Sequence, residues 1–474
     1  MSTWPSLAPW QIIPFSLVVL AASFVLFRRA AGTMSLRKLN IISWMFYSEI
    51  LLFTFIGVNL LLLGVPHYMG SRASAGAKLA AYLALCYAML VMPVTMILAQ
   101  RYLFGGEIKA KINAYFSQPL RAQWARGDRA LVRYWVFISV LALLATVYVY
   151  YKQPQAPFLV SLTRDLPTNM FVFLRQEASR RFPGNVYIRG LFSLLLAPFV
   201  SYVAYGYHRL YRNKLSLLWF LATMAVAVLA LIHSGAKAPI LQYLLTLFLI
   251  RSYIQGGSRW KELLCIACII GIMIAILYTV TTDGWTLALN TGPVGRILLS
   301  QAAGLPLTFD VFPARHAFLW GGGFPAWICR LLGVEHAQAA RILVEIYNPK
   351  GVAAGTAGLF VTFFLGDAWA NFSWAGLLLS PIWLGLLAQF LHNLLISVPK
   401  TPVLVALLGY LTTAFTIASG LMGFIWNPAW YFLFGLVGLG LLLTGNFTPG
   451  QSKPSLPRRH KGDPEHGCTA LPEA

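Results

Sequence analysis

The chain has 474 residues, is 58% hydrophobic and only 11% charged, and carries a formal net charge of +22. A soluble domain is about 25% charged, so this balance, with uncharged apolar runs along nearly the whole length, excludes an ordinary soluble protein and gives an all-α polytopic membrane protein. The basic residues flank the apolar runs, where they fix orientation, and call for no nucleic-acid partner.

A helix needs about 20 apolar residues to cross the hydrocarbon. In chain order the apolar runs predict about eleven spans, near residues 9–27, 41–64, 79–100, 131–150, 188–207, 215–233, 237–254, 262–281, 374–394, 402–422 and 425–445. The first run has no basic residue before it and Arg28 and Arg29 after it. That is the reverse of a cleavable signal peptide, and reads as a span with the N-terminus outside. Basic residues then fill alternate loops: Arg37 and Lys38, Arg101 to Arg129, Arg209 to Lys214, Arg259 and Lys261, Lys400, and the tail with Lys453 and Arg458. The positive-inside rule puts these loops and the C-terminus in the cytoplasm.

The organisation that follows is a four-helix segment over 1–150, an outer loop over 151–187 and a second four-helix segment over 188–281. A large outer loop covers 282–373, a three-helix segment 374–445, and a basic, disordered tail 446–474. The run 352–366 is short for a span and reads as re-entrant. A crossing there would flip every later loop and put Lys400 outside.

Cys265 and Cys268 lie inside an apolar run, where packing is the reading rather than a redox or zinc site. The sequence holds no zinc-protease, paired CxxC, Walker or dinucleotide pattern. No metal and no cofactor is expected, so a pre-activated substrate or a gradient must supply the energy of any reaction.

The outer loops hold the unusual residues. "RQEASRRFPGNVYIRG" carries Arg175, Glu177, Arg180, Arg181 and Arg189. Orientation does not need arginines here. Arg189 begins the fifth span, where a guanidinium grips a diphosphate with paired donors or touches a lipid phosphate. The hairpin "IHSGAKAPI" puts Lys237 at a helix N-terminus, which favours anions. Arg315, His316 and the glycines 321–323 suit a ligand loop. His336 and Glu335 read as part of a short helix, "VEHAQAARILVEI", lying on the bundle. Glu49 is the one clear acid inside a span, functional or structurally hydrogen-bonded. It lies toward the cytoplasmic half, far from the outer face. "GDAWANFSWAG" keeps Asp367 and Asn371 at the outer interface beside Trp369 and Trp374.

Three of these features together resemble bacterial O-antigen and exopolysaccharide polymerases of the Wzy type. They are the small-residue hairpin "SGAKAPI" with its basic tip, the long late outer loop, and a returning segment with an acid, an aromatic and a glycine turn before a span. The last is Asp367, Asn371, Phe372 and Gly376, with Ser373 where the family often has glycine and Asp367 where glutamate is more usual. The resemblance covers roughly residues 170–395. It implies a metal-independent glycosyltransferase of the inner membrane that joins polyprenyl-diphosphate-linked oligosaccharides at the outer face, with a flippase and a chain-length regulator as partners. On that footing Arg189, Lys237, Arg180 and Arg315 would bind the diphosphate. Asp367 would be the base, with His316 and Glu177 as alternatives. Asn371 and Tyr347 would orient sugar hydroxyls, and Trp369 would stack on a sugar ring.

A glycan ligase would use the same cationic outer face. A flippase or transporter of lipid-linked oligosaccharide calls instead for charged residues at mid-bilayer and interrupted helices. A membrane acyltransferase would want a buried histidine beside an acid or amide, a pattern that His392 and Asn393 touch at the cytoplasmic end of their span.

Overall fold

Polar caps start the helices where the apolar runs begin. The Asn40 side chain accepts from the amides of Ile42 and Ser43, and the Ser43 hydroxyl accepts from the Asn40 amide, closing a reciprocal box. Ser74, Asn213, Thr401 and Asn427 cap later helices in the same way, with Pro402 and Pro428 in the first turn. Each such cap is worth about 1 kcal/mol.

The computed structural model describes residues 9–444 apart from 123–127, 155, 159, 161–167, 181, 282–288, 291 and 426. The tail 446–474 and Arg181 lie outside the described residues. All described regular structure is helical. In chain order it comprises α1 (Pro9–Ala31), α2 (Ile41–Leu62), α3 (Ala75–Phe104), α4 (Ile108–Ser117), α5 (Asp128–Lys152), α6 (Thr168–Arg180), α7 (Ile188–Tyr211), α8 (Lys214–Ile232), α9 (Lys237–Gln255) and α10 (Trp260–Thr281). Then follow α11 (Gln301–Val311), α12 (Ala326–Leu332), α13 (Ala339–Tyr347), α14 (Phe363–Ser397), α15 (Pro402–Ala414) and α16 (Pro428–Leu443).

Eight helices among the described residues are long and apolar enough to cross a membrane, against the eleven spans expected. They are α1, α2, α3, α5, α7, α8, α14 and the one ending in α16. The other three expected spans, α9, α10 and α15, are also helical. α15 ends at Ala414 after 13 residues, and irregular chain follows before the short helix Met422–Ile425. Residues 334–338, with Glu335 and His336, carry no regular structure, and α13 starts only at Ala339.

Alternate loops gather on two opposite faces. On one, Arg37 Nε donates to the Ser258 carbonyl at 2.9 Å, and the Arg121 amide to the Lys400 carbonyl at 2.9 Å. Lys400 Nζ, buried there, donates to the carbonyls of Phe116 and Tyr253. These are the basic loops. On the other face, the Tyr68 amide donates to Asn290 at 2.7 Å, His67 bonds Ser300 at 3.1 Å, and His233 lies against the Gln153 carbonyl. Lys400 sits with the other basic loops, the placement that a run 352–366 which does not cross requires. Residues 354–362 are non-helical, and α14 begins at Phe363.

The dive is built on α11. Gly304 gives up its side chain for the chain passing over it: a Cβ there would sit 2.0 Å from the Val361 carbonyl oxygen. α14 then breaks at Ser373, whose φ of 55° and ψ of −140° are non-helical. Its first arm, Phe363 to Phe372, is packed inside the bundle, with Phe364, Leu365, Ala368 and Ala370 fully buried. Irregular backbone at this depth is tolerated where protein surrounds it. The second arm packs along α3 down to the basic face.

Candidate functional site

The face opposite the basic loops gathers cations from three separate stretches. α6 lies over the α8–α9 hairpin, where Gly235 at φ 66° leaves room for the Phe171 ring. On its other flank Phe173 and Gln176 reach the turn at Gly355 and Gly358. This placement holds Arg175 within electrostatic reach of Arg296, and both within reach of Lys237. Burial, and then the Arg296 charge, push Arg175 below the usual guanidinium range. A guanidinium does not deprotonate in a protein; the direction reflects a half-buried Arg175 with the like charge of exposed Arg296 beside it. An anion would relieve that repulsion.

Arg189 starts α7 with its guanidinium 5.3 Å from the Phe182 ring centroid, and its charge acts on His233 at the end of α8. Burial first, and then Arg189, hold His233 below the ordinary imidazole range. Next to Arg189 and the hairpin, a cavity of about 320 Å³ opens into the bundle, lined by Gly190, Leu194, Pro198, Ser234, Pro239 and Thr413 among others. Its walls are mainly apolar with Gln242, Tyr243 and Thr246 among them, and Gly190 and the hairpin residues bring Arg189 and Lys237 next to it, which suits an amphiphilic anion.

Beyond Thr413 the irregular chain turns toward two acids. The Ala418 amide donates to Glu49 Oε2 at 3.2 Å. Two residues later Gly420, at φ 100°, lies against Asp367: a Cβ there would approach the carboxylate to 3.2 Å. Glu49 is thus close to the segment that Asp367 touches, not remote from it as its position in the sequence suggested. Asp367 is half-buried on the first arm of α14, and Asn371 Nδ2 donates to its Oδ1 at 3.2 Å.

Asn371 and Trp369 turn inward. Asn371 is fully buried, and its Oδ1 accepts from the Gly323 amide at 2.8 Å. Trp369 is 7% exposed, donates Nε1 to the Phe312 carbonyl and stacks on Phe309 at 5.1 Å. Neither offers a sugar a free face in this conformation; together they tie the outer loop to α14. The glycine run is a packed turn held the same way. A Cβ at Gly323 would fall 2.6 Å from Asn371 Oδ1. Gly323→Ala is expected to cost about 1–3 kcal/mol, read as earlier thermal unfolding in detergent; an unchanged midpoint contradicts this packing.

Tyr347 and Arg315 are engaged elsewhere. Tyr347 Oη donates to Asp310 Oδ2 at 2.6 Å, Arg315 Nη2 lies 2.8 Å from the same oxygen, and the Ser74 amide donates to Asp310 Oδ1 at 2.9 Å. Arg72 donates to the Tyr347 carbonyl. Tyr347 is buried, whereas half of the Arg315 side chain remains exposed. Burial alone would raise the Asp310 carboxyl; the bonds from Tyr347 and Ser74, with the Arg315 charge, outweigh it and hold the group below its usual range. A depressed carboxyl adds stability above its unfolded value of about 3.9 and loses it as pH falls through the folded one. Tyr347→Phe is expected to cost about 1.5–3 kcal/mol at neutral pH and less at pH 3. Equal losses at both pH values would contradict the role given to this cluster.

His316 is partly exposed, with Nδ1 2.7 Å from the Ala317 carbonyl. Glu177 is exposed on α6. Arg180 ends α6, and its side chain lies outside what is described. His336 lies against the glycine turn, 3.2 Å from the Gly322 carbonyl and close to Cys329. No group of three or more metal-ligating side chains occurs among the described residues.

The structure therefore brings Lys237 together with two residues that the sequence had not put forward for the site, Arg175 and Arg296. Arg175 was visible as an arginine on the outer side. Arg296 carried no signal beyond following a Gly-Pro turn. Comparison with protein-family models, curated proteins and solved structures gives no match.

Proposed function

We propose that this chain is a glycosyltransferase of the bacterial cytoplasmic membrane that joins polyprenyl-diphosphate-linked oligosaccharide units at its outer face, as a polysaccharide polymerase. The observation that carries the reading is the approach of Arg175 and Arg296 to Lys237 at the α8–α9 hairpin, whose Ser234 and Pro239 line a mainly apolar cavity beside Arg189. In this reading the acceptor hydroxyl attacks the anomeric carbon of the donor. The bond from that carbon to the diphosphate oxygen breaks, and the electron pair leaves with the diphosphate. The cations stabilise the charge growing on those oxygens, each such donor contributing about 3–4 kcal/mol. Asp367 takes the hydroxyl proton. Asn371 orients Asp367 through Nδ2 while its Oδ1 holds the glycine turn. The bilayer and the lipid-linked glycans are the direct partners; a flippase would supply the units, and a chain-length regulator would limit the product.

A deletion strain tests the reading. Single repeat units on the carrier without long chains are the expected result. Full-length polymer retained on the carrier would make the chain a ligase instead. The interrupted α14 and the irregular stretch after α15, with buried Glu49 bonded to it, favour a second reading as a transporter of lipid-linked oligosaccharide. Repeat units trapped on the cytoplasmic leaflet would support that one.

A further inference from the structure

On the face of the basic loops, residues of α5, the end of α7 and the start of α8 line a cavity of about 730 Å³. Its volume falls within the range of about 300–1,000 Å³ typical of small-molecule sites. Arg129 and Arg133, one helical turn apart on α5 and both exposed, line it together with Asn213 and Tyr211. The rest of the wall is mainly apolar, with Val132, Val136, Leu218 and Trp219, and includes Ser216 and Tyr207. Leu218 is 64% exposed and Val136 42%, so the slot is open toward the surrounding hydrocarbon. One acid lies nearby, Asp128, whose carboxylate accepts from the Tyr211 hydroxyl and stands beside the Tyr207 hydroxyl. Lys214 begins α8 next to Asn213 and adds to the cationic side.

We propose that this cavity is a site for an anionic glycerophospholipid of the leaflet on the basic-loop side. Its phosphate would sit between Arg129 and Arg133, and one acyl chain would fill the slot along Val132, Val136 and Leu218. The two-part lining selects the class. Two guanidiniums form paired bonds to phosphate oxygens, and basic pockets between membrane helices on the cytoplasmic side recognise anionic headgroups. A soluble phosphate would use the arginines but leave the apolar wall uncovered. A zwitterionic lipid would fill the wall but bring a cation to a mouth that already holds two. The site lies on the face opposite the cationic cluster of α6, α9 and Arg296, and does not depend on the glycan reading.

Native mass spectrometry of the full chain in detergent, titrated with phosphatidylglycerol or phosphatidylcholine, tests it. Retention of phosphatidylglycerol at least about tenfold tighter than phosphatidylcholine is expected, lost in Arg129→Gln/Arg133→Gln and kept in part in Arg129→Lys/Arg133→Lys, which retains the charges without the paired donors. Circular dichroism checks that both variants fold; if the glutamine pair does not, the single Arg133→Gln replaces it, with a preference reduced severalfold. Equal retention of the two lipids, or an unchanged preference in the glutamine variant, would overturn the proposal. Displacement of phosphatidylglycerol by millimolar inorganic phosphate would also overturn it, by making the site one for soluble anions.

Discussion

Lys237→Ala is expected to lower polymer formation by about 10²–10³-fold while the protein remains in the membrane. Lys237 is the member of the cationic cluster that both other members act on, at the N-terminus of α9, where the helix dipole adds to its charge. Its removal takes away a preorganised cation from the place where charge would develop on the leaving diphosphate. Arg189→Ala should do the same from the other side of the hairpin. A structural role predicts a different pattern, with loss of membrane-inserted protein in step with loss of polymer. Quantifying polymer against protein in washed membranes separates the two, and wild-type polymer from either variant would end the assignment.

Asp367→Asn is the second large effect, a loss of about 10²–10⁴-fold. The substitution keeps the shape of the side chain and an oxygen able to accept from Asn371 Nδ2, so the tie between Asn371 and Gly323 should survive. What it removes is the ability to take a proton. Glu49→Gln offers the contrast. Its amide still presents an oxygen to the Ala418 amide, and a polymerase should tolerate the change far better than a transporter that uses the buried acid. Full polymer yield from Asp367→Asn would remove Asp367 from the chemistry and leave it as a neighbour of Gly420.

The sequence made the frame legible because hydropathy and charge act locally. The basic loops at Arg37, Arg121, Ser258 and Lys400 do share one face, as alternate loops of a multi-span chain must. The short apolar run before Asp367 is non-helical over residues 354–362, and α14 begins only at Phe363. The number of long apolar helices was less legible: α15 stops at Ala414, and in the chain that follows Glu49, far away in sequence, accepts from the amide of Ala418. The direction of side chains was not legible either. An amide and an indole at an interface look like glycan contacts, yet Asn371 and Trp369 point into the protein and secure the outer loop. Arg315 and Tyr347 look like ligand contacts until Asp310 is found between them. Arg175 and Arg296 show the reverse. Only the packing of α6 over the α8–α9 hairpin brings them to Lys237, and nothing at either position announces the other.

We propose that the cationic cluster around Lys237 receives a lipid diphosphate. Binding of polyprenyl diphosphate to the purified full chain tests it most directly, with Arg175→Ala, Lys237→Ala and Arg296→Ala measured beside the wild type. Saturable binding weakened at least about tenfold by each substitution, with polyprenyl alcohol binding far less tightly, is the predicted result. Equal affinity for the diphosphate and the alcohol, or an affinity unchanged in all three variants, would contradict the account.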